Sequence, residues 1–347
     1  MKEAGVELVA DFSWAGAIGI VESLRLVPRL LGEQSKLKRI MVERRPDVFV
    51  PIDFGAFNVP LGRFAREHGV KTVYYFPPGS WRKRPRDPAN LLAASDRIIT
   101  PFPWSEKLLT YSGADATFPG HPMLDRVAPS LSREEFCKSL GIAPDCRVVG
   151  LLPGSRAHEI NNIMPALLKS GMKVSALLPD VGAYLIAAGS DGAANNIQSI
   201  IRRSKSRLPF VKIVRGLTYD VMAHSDLVIT CSGTATLETM ILGTPMVIVY
   251  RGSKLMKLEY LFRKRILEDF IGMPNIVAGR SICPELLGDK ASPEEISRAA
   301  IELLTSRESL NQMKADLRSS REMLGEPGGT RRAAYIVLET AGLCSIR

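Results

Sequence analysis

Short β-branched runs alternate with longer amphipathic stretches from one end of this chain to the other. Parallel βαβ units produce that rhythm; sandwiches and helical bundles do not. Strands are expected at 6–9, 48–52, 72–76 and 97–100, then at 147–152, 211–214, 227–230 and 246–250, with helices between them. At 347 residues the chain exceeds one ordinary core and suits two α/β domains. The periodicity breaks from Gly120-His121-Pro122 to Leu131, and Ser132-Arg133-Glu134-Glu135 then supplies a capping box for a new helix. The expected division is therefore 1–125 and 126–325, each Rossmann-like, with a C-terminal helix in 326–347 as a candidate to pack back on the first domain. A second start signal, Ser292-Pro293-Glu294-Glu295, opens the helical C-terminal region. In such α/β folds ligands bind beyond the carboxyl ends of the strands, so the chemistry is expected in a central cleft faced by both sheets.

Charge narrows the partners. A formal net charge of +10 favours something anionic: nucleic acid, a phospholipid surface or a phosphorylated substrate. Five cysteines without Cys-X-X-Cys spacing indicate neither a disulfide framework nor a zinc site, which fits a reducing cytosol. Four scattered histidines lack metal-ligand spacing, and no apolar run reaches the roughly 18 residues of a spanning helix. Any membrane contact is expected to be peripheral.

The strand expected at 227–230 runs into Ser232-Gly233-Thr234-Ala235-Thr236-Leu237-Glu238. Unpaired N–H groups at a helix start, the positive end of its dipole and a glycine that lets a ligand approach closely together suit a diphosphate. Ser232 and Thr234 add hydroxyl donors, although an isolated Ser-Gly-Thr would equally serve as an N-cap. Glu238 in the first turn would repel phosphate and must point aside, where ribose hydroxyls can donate to it; otherwise it is a helix-dipole acid. A second strand–glycine turn, Leu151-Leu152-Pro153-Gly154-Ser155-Arg156, is followed by His158-Glu159-Ile160. No Asp-X-Asp pair is present to hold a divalent metal, so no metal or cofactor is expected, and Arg156 with the helix dipoles must neutralise the diphosphate.

In the first half, Asp53 closes a strand at its carboxyl end and is the best candidate for a general base; its plainer reading is a turn residue. His121 is a rival base, though a histidine beside Gly120 and Pro122 is more often a packing contact. Two stretches interleave apolar and basic residues as a lipid-facing surface would: Ile18 to Leu31, including Ile20, Val21, Leu24 and Arg25, and Lys254 to Arg265. Packing against a sheet is the alternative for the first. Their aliphatic character argues for an anionic membrane surface and against nucleic acid, which asks for aromatic stacking platforms.

These motifs together resemble the lipid-A-disaccharide synthase family, glycosyltransferases of GT-B type. The likeness runs nearly end to end. It is carried by Gly19-Ile20-Val21-Glu22, Arg45-Pro46-Asp47-Val48 with Ile52-Asp53, Phe57-Asn58, Trp81, Gly120-His121-Pro122, Pro153-Gly154-Ser155-Arg156 with Glu159-Ile160, Ser232-Gly233-Thr234-Ala235 with Leu237-Glu238, and Pro274-Asn275 with Ala278-Gly279-Arg280. The resemblance implies a metal-independent, inverting transfer of diacylglucosamine from UDP-2,3-diacylglucosamine to the 6-hydroxyl of 2,3-diacylglucosamine 1-phosphate, with release of UDP. It implies Asp53 as the base; Gly154, Ser155, Arg156, Ser232, Gly233, Thr234, Glu238 and Asn275 around the nucleotide sugar; and Trp81, His121, Ile20, Val21, Leu24 and Arg25 on the acceptor or lipid side. The expected location is cytoplasmic, peripheral on the inner membrane.

Three departures from the family pattern stand out. Family members carry a strand, a Gly-Glu-X-Ser-Gly-Asp loop, a helix and a second strand before the point that matches Met1, so the N-terminal domain reads as shortened. A second acid that follows the catalytic aspartate in the family is replaced at Ala56. The Trp-Ala-Trp usual after the next strand is Trp81-Arg82-Lys83-Arg84 here. Beside the active transferase stand a relative that only binds UDP-sugar or anionic lipid, and a transferase or epimerase with an unacylated substrate.

Overall fold

The computed structural model describes residues 4–10, 20–83, 88–204, 208–251 and 270–344. The chain forms two units, Met1–His121 together with Gly328–Arg347, and Pro122–Pro327. It thus leaves the first unit once and returns to it at the end.

Among the described residues the first unit holds a parallel sheet in the order β1 (Val48–Phe49), β2 (Lys71–Tyr75), β3 (Arg97–Ile99), β4 (Ala116–Thr117). Side chains alternate between the two faces of a strand, and the packing follows that period. Val73 and Ile99 meet Ala333 and Ile336 of the helix Gly329–Thr340 on one face. Tyr74 and Ile98 meet Val59, Leu91, Leu92 and Leu109 on the other. Two expectations are corrected here. Residues 6–9 form no strand: Val6 and Leu8 are 48% and 55% exposed, so their alternation buries nothing, while Glu7 pairs with Arg44 at 2.6 Å. The strand expected at 48–52 stops at Phe49, because Pro51 has no N–H for the ladder; pairing resumes as one bridge, Ile52 with Tyr75.

The second unit contains a six-stranded parallel sheet, ordered β10 (Glu285–Leu287), β9 (Met246–Tyr250), β8 (Leu227–Cys231), β5 (Arg147–Leu152), β6 (Val181–Ala188), β7 (Val211–Arg215). From β5 the chain builds outward to β7, then crosses back to lay β8 on the other side of β5. The reversal leaves a crevice between the carboxyl ends of β5 and β8, the topological switch point at which open α/β sheets bind ligands. Ser132 caps its helix with the full reciprocal box to Glu135, and Ser292 caps the helix Pro293–Thr305. β6 escaped the sequence reading, since Gly182, Ala183, Ala187 and Ala188 give it little of the β-branched signature. β4 and β10, at two and three residues, carry almost no pattern at all.

Ile20, Val21, Leu24 and Arg25 fall in the first turns of the helix Ile20–Arg44. Their side chains, Ile18, Gly19, Arg84 and the basic stretch Lys254 to Arg265 lie outside the described residues.

Candidate nucleotide-sugar site

Both glycine turns of the second unit open at the switch point. After β5, Gly154 takes a φ of 108°, and a Cβ there would stand 2.6 Å from Glu159 Oε2 and 2.7 Å from Glu159 Cβ. Only glycine fits both the conformation and the space. Glu159 is what crowds it: its Oε2 accepts the N–H groups of Ser155 (3.0 Å) and Arg156 (3.1 Å), and its Oε1 pairs with the Arg156 guanidinium at 3.0 Å. The carboxylate therefore fixes the turn into the helix Ala157–Leu177 and holds Arg156, whose side chain is 60% exposed, at the rim.

After β8, Gly233 adopts φ 153°, ψ −160°, a region closed to other residues. It leads into the helix Thr234–Leu242, whose first N–H groups have no partner within the helix. Ser232 Oγ donates to Ile271 O (2.9 Å) and Thr236 Oγ1 accepts from Met273 N (3.1 Å), so this turn is tied to the start of the helix Met273–Ala278. Between the two turns lies a cavity of about 450 Å³, lined by Gly154, Ser155, Arg156, Ser232, Gly233, Thr234 and Glu238 among others. That volume lies in the range of small-ligand sites.

Four of the lining residues lie outside every motif read from the sequence: Ala187 and Gly189 at the end of β6, and Thr218 and Met222 on the helix Thr218–Ala223. The apolar run ending in Gly189-Ser190 is a third strand–turn–helix signal that would have revealed the first two. Glu238 lies in the second turn of its helix rather than the expected first, lines the cavity, and accepts from Tyr219 OH at 3.1 Å. Burial raises its carboxyl above the usual range, an effect that Tyr219 and the charge of Arg126 reduce. Cys231 is buried, and its thiol is pushed up to about 12, so it stays protonated and is a wall rather than a nucleophile.

Asn275 corrects the expectation. It is fully buried and does not line the cavity. Its Nδ2 donates to Cys283 O (2.9 Å) and Glu285 Oε1 (2.8 Å), and its Oδ1 accepts from Ile282 N (2.8 Å) and Cys283 N (2.9 Å). Both ends of the amide are spent on the 282–285 segment, leaving little with which to meet a phosphate. Asn275 shapes the wall behind the site.

In the first unit Asp53 is exposed beyond the carboxyl end of β1. Asp53 and Phe54 take φ 46° and 40°, consecutive left-handed residues without a glycine. The strain is held by three hydrogen bonds: Asp53 N donates to Tyr75 O (3.1 Å), while Tyr74 OH (2.8 Å) and Asn58 Nδ2 (2.9 Å) donate to Asp53 O. All of them engage the backbone, so the turn presents the carboxylate outward. His121 is 4% exposed and lies against the rings of Phe76 (5.9 Å) and Phe102 (5.3 Å). Burial pushes it down to about 4, so at neutral pH it is an uncharged packing group. Trp81 is partly buried with the Arg82 guanidinium over its ring at 5.0 Å, and Lys83 lies over Trp104 at 4.8 Å.

The sequence profile described as Lipid-A-disaccharide synthetase matches residues 1–340. The chain is 36% identical over 343 residues to the lipid-A-disaccharide synthase of Geobacter sulfurreducens, covering 99% of this chain and 88% of that protein. It is 34% identical over 339 residues to the synthase of Syntrophus aciditrophicus, covering 97% and 87%. Among solved structures, the S. aureus MnaA–UDP complex superposes with a TM-score of 0.63 at 13% identity, over 93% of this chain and 83% of that one. The glycotransferase of kitacinnamycin gives 0.62 at 16% identity, over 96% and 87%. At such identities the two structures speak for the fold alone, which is that of GT-B glycosyltransferases.

Proposed function

Since the chain belongs to the lipid-A-disaccharide synthase family, we propose that its cavity between β5 and β8 holds the UDP of a UDP-2,3-diacylglucosamine donor and that Asp53 activates the acceptor. The enzyme is a UDP-sugar-dependent glycosyltransferase of lipid A biosynthesis. It transfers diacylglucosamine to 2,3-diacylglucosamine 1-phosphate and releases UDP. The observation that carries the donor site is the convergence of two glycine turns, each entering a helix, on one cavity at the switch point.

Each role follows from chemistry. The helix N-terminus at Thr234 offers N–H groups to the diphosphate, and Arg156 meets the charge that grows on UDP as the glycosidic bond breaks. Glu238, turned from the phosphates, accepts the ribose hydroxyls. The Asp53 carboxylate takes the proton of the acceptor 6-hydroxyl as its oxygen attacks the anomeric carbon from the face opposite UDP, which inverts the configuration. Trp81 and its neighbouring cations serve the acceptor side.

The reading is tested by supplying both lipid substrates together and measuring UDP. Release is expected only with both present, and Asp53→Asn should lower the rate by about 10²–10⁴-fold while leaving UDP affinity within a factor of about two. Binding of UDP without turnover by the unaltered protein would make it a binding relative instead.

Access to acylated substrates calls for an anionic membrane surface as the second partner. On the helix Ile20–Arg44, Leu30, Leu37 and Met41 pack toward Phe57, Leu61 and Ala65, while Val27 and Leu31 stand 42% and 56% exposed. Among the described residues no helix is long and apolar enough to cross a membrane. Co-sedimentation with vesicles containing anionic lipid is expected to fall with rising salt and with Val27→Glu/Leu31→Glu; binding equal to that of neutral vesicles would remove this partner.

A further inference from the structure

The short helix Thr218–Ala223 touches the proposed nucleotide site and the segment following residue 122 at once. Thr218 and Met222 line the cavity. Between them in sequence, Tyr219 OH donates to Glu238 Oε1 at 3.1 Å. Asp220 turns the other way and is 2% exposed. Its Oδ1 accepts from Ser130 N and Leu131 N, both at 2.8 Å, and its Oδ2 from Ser130 Oγ at 2.9 Å. One residue beyond the helix, the His224 ring bonds Leu131 O at 2.8 Å, and Arg133 donates to His224 O at 2.6 Å. So many bonds to one neighbouring segment leave the helix little room to carry Tyr219 away from Glu238.

Two facts make the phenol a donor rather than a bystander. Burial and then the adjacent Glu238 charge raise the Tyr219 hydroxyl, so it keeps its proton. Arg126, on the segment that Asp220 anchors, favours the ionised form of Glu238. A carboxylate rotates about its last bond and accepts through both oxygens; committing Oε1 to Tyr219 sets its plane and leaves Oε2 for a ligand.

Resting on the reading that Glu238 accepts the ribose hydroxyls, we propose that Tyr219 is a positioning residue that makes this pocket select ribonucleotides. Without the phenol Glu238 still carries its charge, but its plane is no longer set and Oε2 is no longer held for the ribose hydroxyls. The consequence falls on discrimination, which loss of general packing would not move.

Calorimetric titration of the full chain with UDP and with 2′,3′-dideoxy-UDP reads this directly. The unaltered protein should prefer UDP by about tenfold or more, as for hydrogen bonds to a charged acceptor. Tyr219→Phe should reduce the ratio to about threefold or less with the dideoxy Kd unchanged. A full ratio in Tyr219→Phe, where Glu238→Gln has lost it, overturns the role of Tyr219 and leaves the ribose reading standing. A full ratio in Glu238→Gln overturns the ribose reading and this inference with it. Should Tyr219→Phe bind neither nucleotide, Tyr219→Gln decides: a donor that restores both UDP binding and the ratio sustains the role, and any other result ends it.

Discussion

Glu238 is a carboxylate kept half-buried in the second turn of a helix, where burial makes its charge expensive. Burial holds its folded pKa above the ordinary carboxylate value, with Tyr219 and Arg126 offsetting part of the rise. Such a group binds more protons in the folded than in the unfolded chain across the window between the two values, so stability is lost as pH rises through that window. Glu238→Gln removes this slope. Thermal unfolding followed from about pH 4 to about pH 7 should show the variant's melting temperature equal to or above that of the parent at the upper end, while its UDP affinity falls. A variant less stable at neutral pH would mean that the charge contributes to folding rather than to binding. The residues around Glu238 differed in how legible they were. Gly154, Ser232, Gly233 and Thr234 announce themselves because a glycine between a buried strand and a helix is a local pattern. Thr218 and Met222 were silent, because they reach the cavity from a separate six-residue helix whose placement depends on Asp220 and the partners it finds 89 and 90 residues away.

Elements were read best where apolar periodicity is long and worst where tertiary context stands in for it. β5 and β9 lie where their β-branched runs put them, whereas β6, rich in alanine, is a strand because β5 and β7 pair with it on either side. The same dependence explains Asn275. The family resemblance implied a place for it at the nucleotide sugar, but the fold brings the 282–285 segment against it, and the amide becomes the bracket between the helix Met273–Ala278 and β10. Glu285 completes the bracket by accepting from Ile271 N (3.0 Å) and Gly272 N (2.9 Å) just ahead of that helix. Asn275→Ala would leave buried donors and acceptors unpaired, at about 1–3 kcal/mol for each neutral group, so a total of roughly 2–4 kcal/mol is expected. Denaturant titration should show that loss, with UDP affinity reduced only as the wall loosens. A full loss of affinity at unchanged stability would return Asn275 to the ligand.

At the scale of the molecule, the chain's return to its first unit is the feature that periodicity could only suggest, because a helix shows in sequence while its partner does not. The helix Gly329–Thr340 covers Val73 and Ile99 with Ala333 and Ile336, and Arg332 Nε donates to Pro119 O at 2.6 Å. Arg97 of β3 pairs with Glu339 near its other end. Gly329 is the tight point: a Cβ there would run into the carbonyl oxygen of Gly120 and stand 2.8 Å from its carbon. Backbone cannot step aside as a flexible side chain would, so even a methyl group must push the helix off the sheet. Gly329→Ala is therefore expected to destabilise the first unit by about 1–3 kcal/mol, as overpacking does, whereas an alanine in a helix would ordinarily be neutral or stabilising relative to glycine. Hydrogen exchange resolved along the chain provides the measurement. Protection should fall in β2, β3 and the helix Gly329–Thr340 and stay unchanged in β5, β6 and β8, because the contact lies wholly within the first unit. An equal loss in both units would mean that the returning helix secures more of the protein than the sheet it lies on.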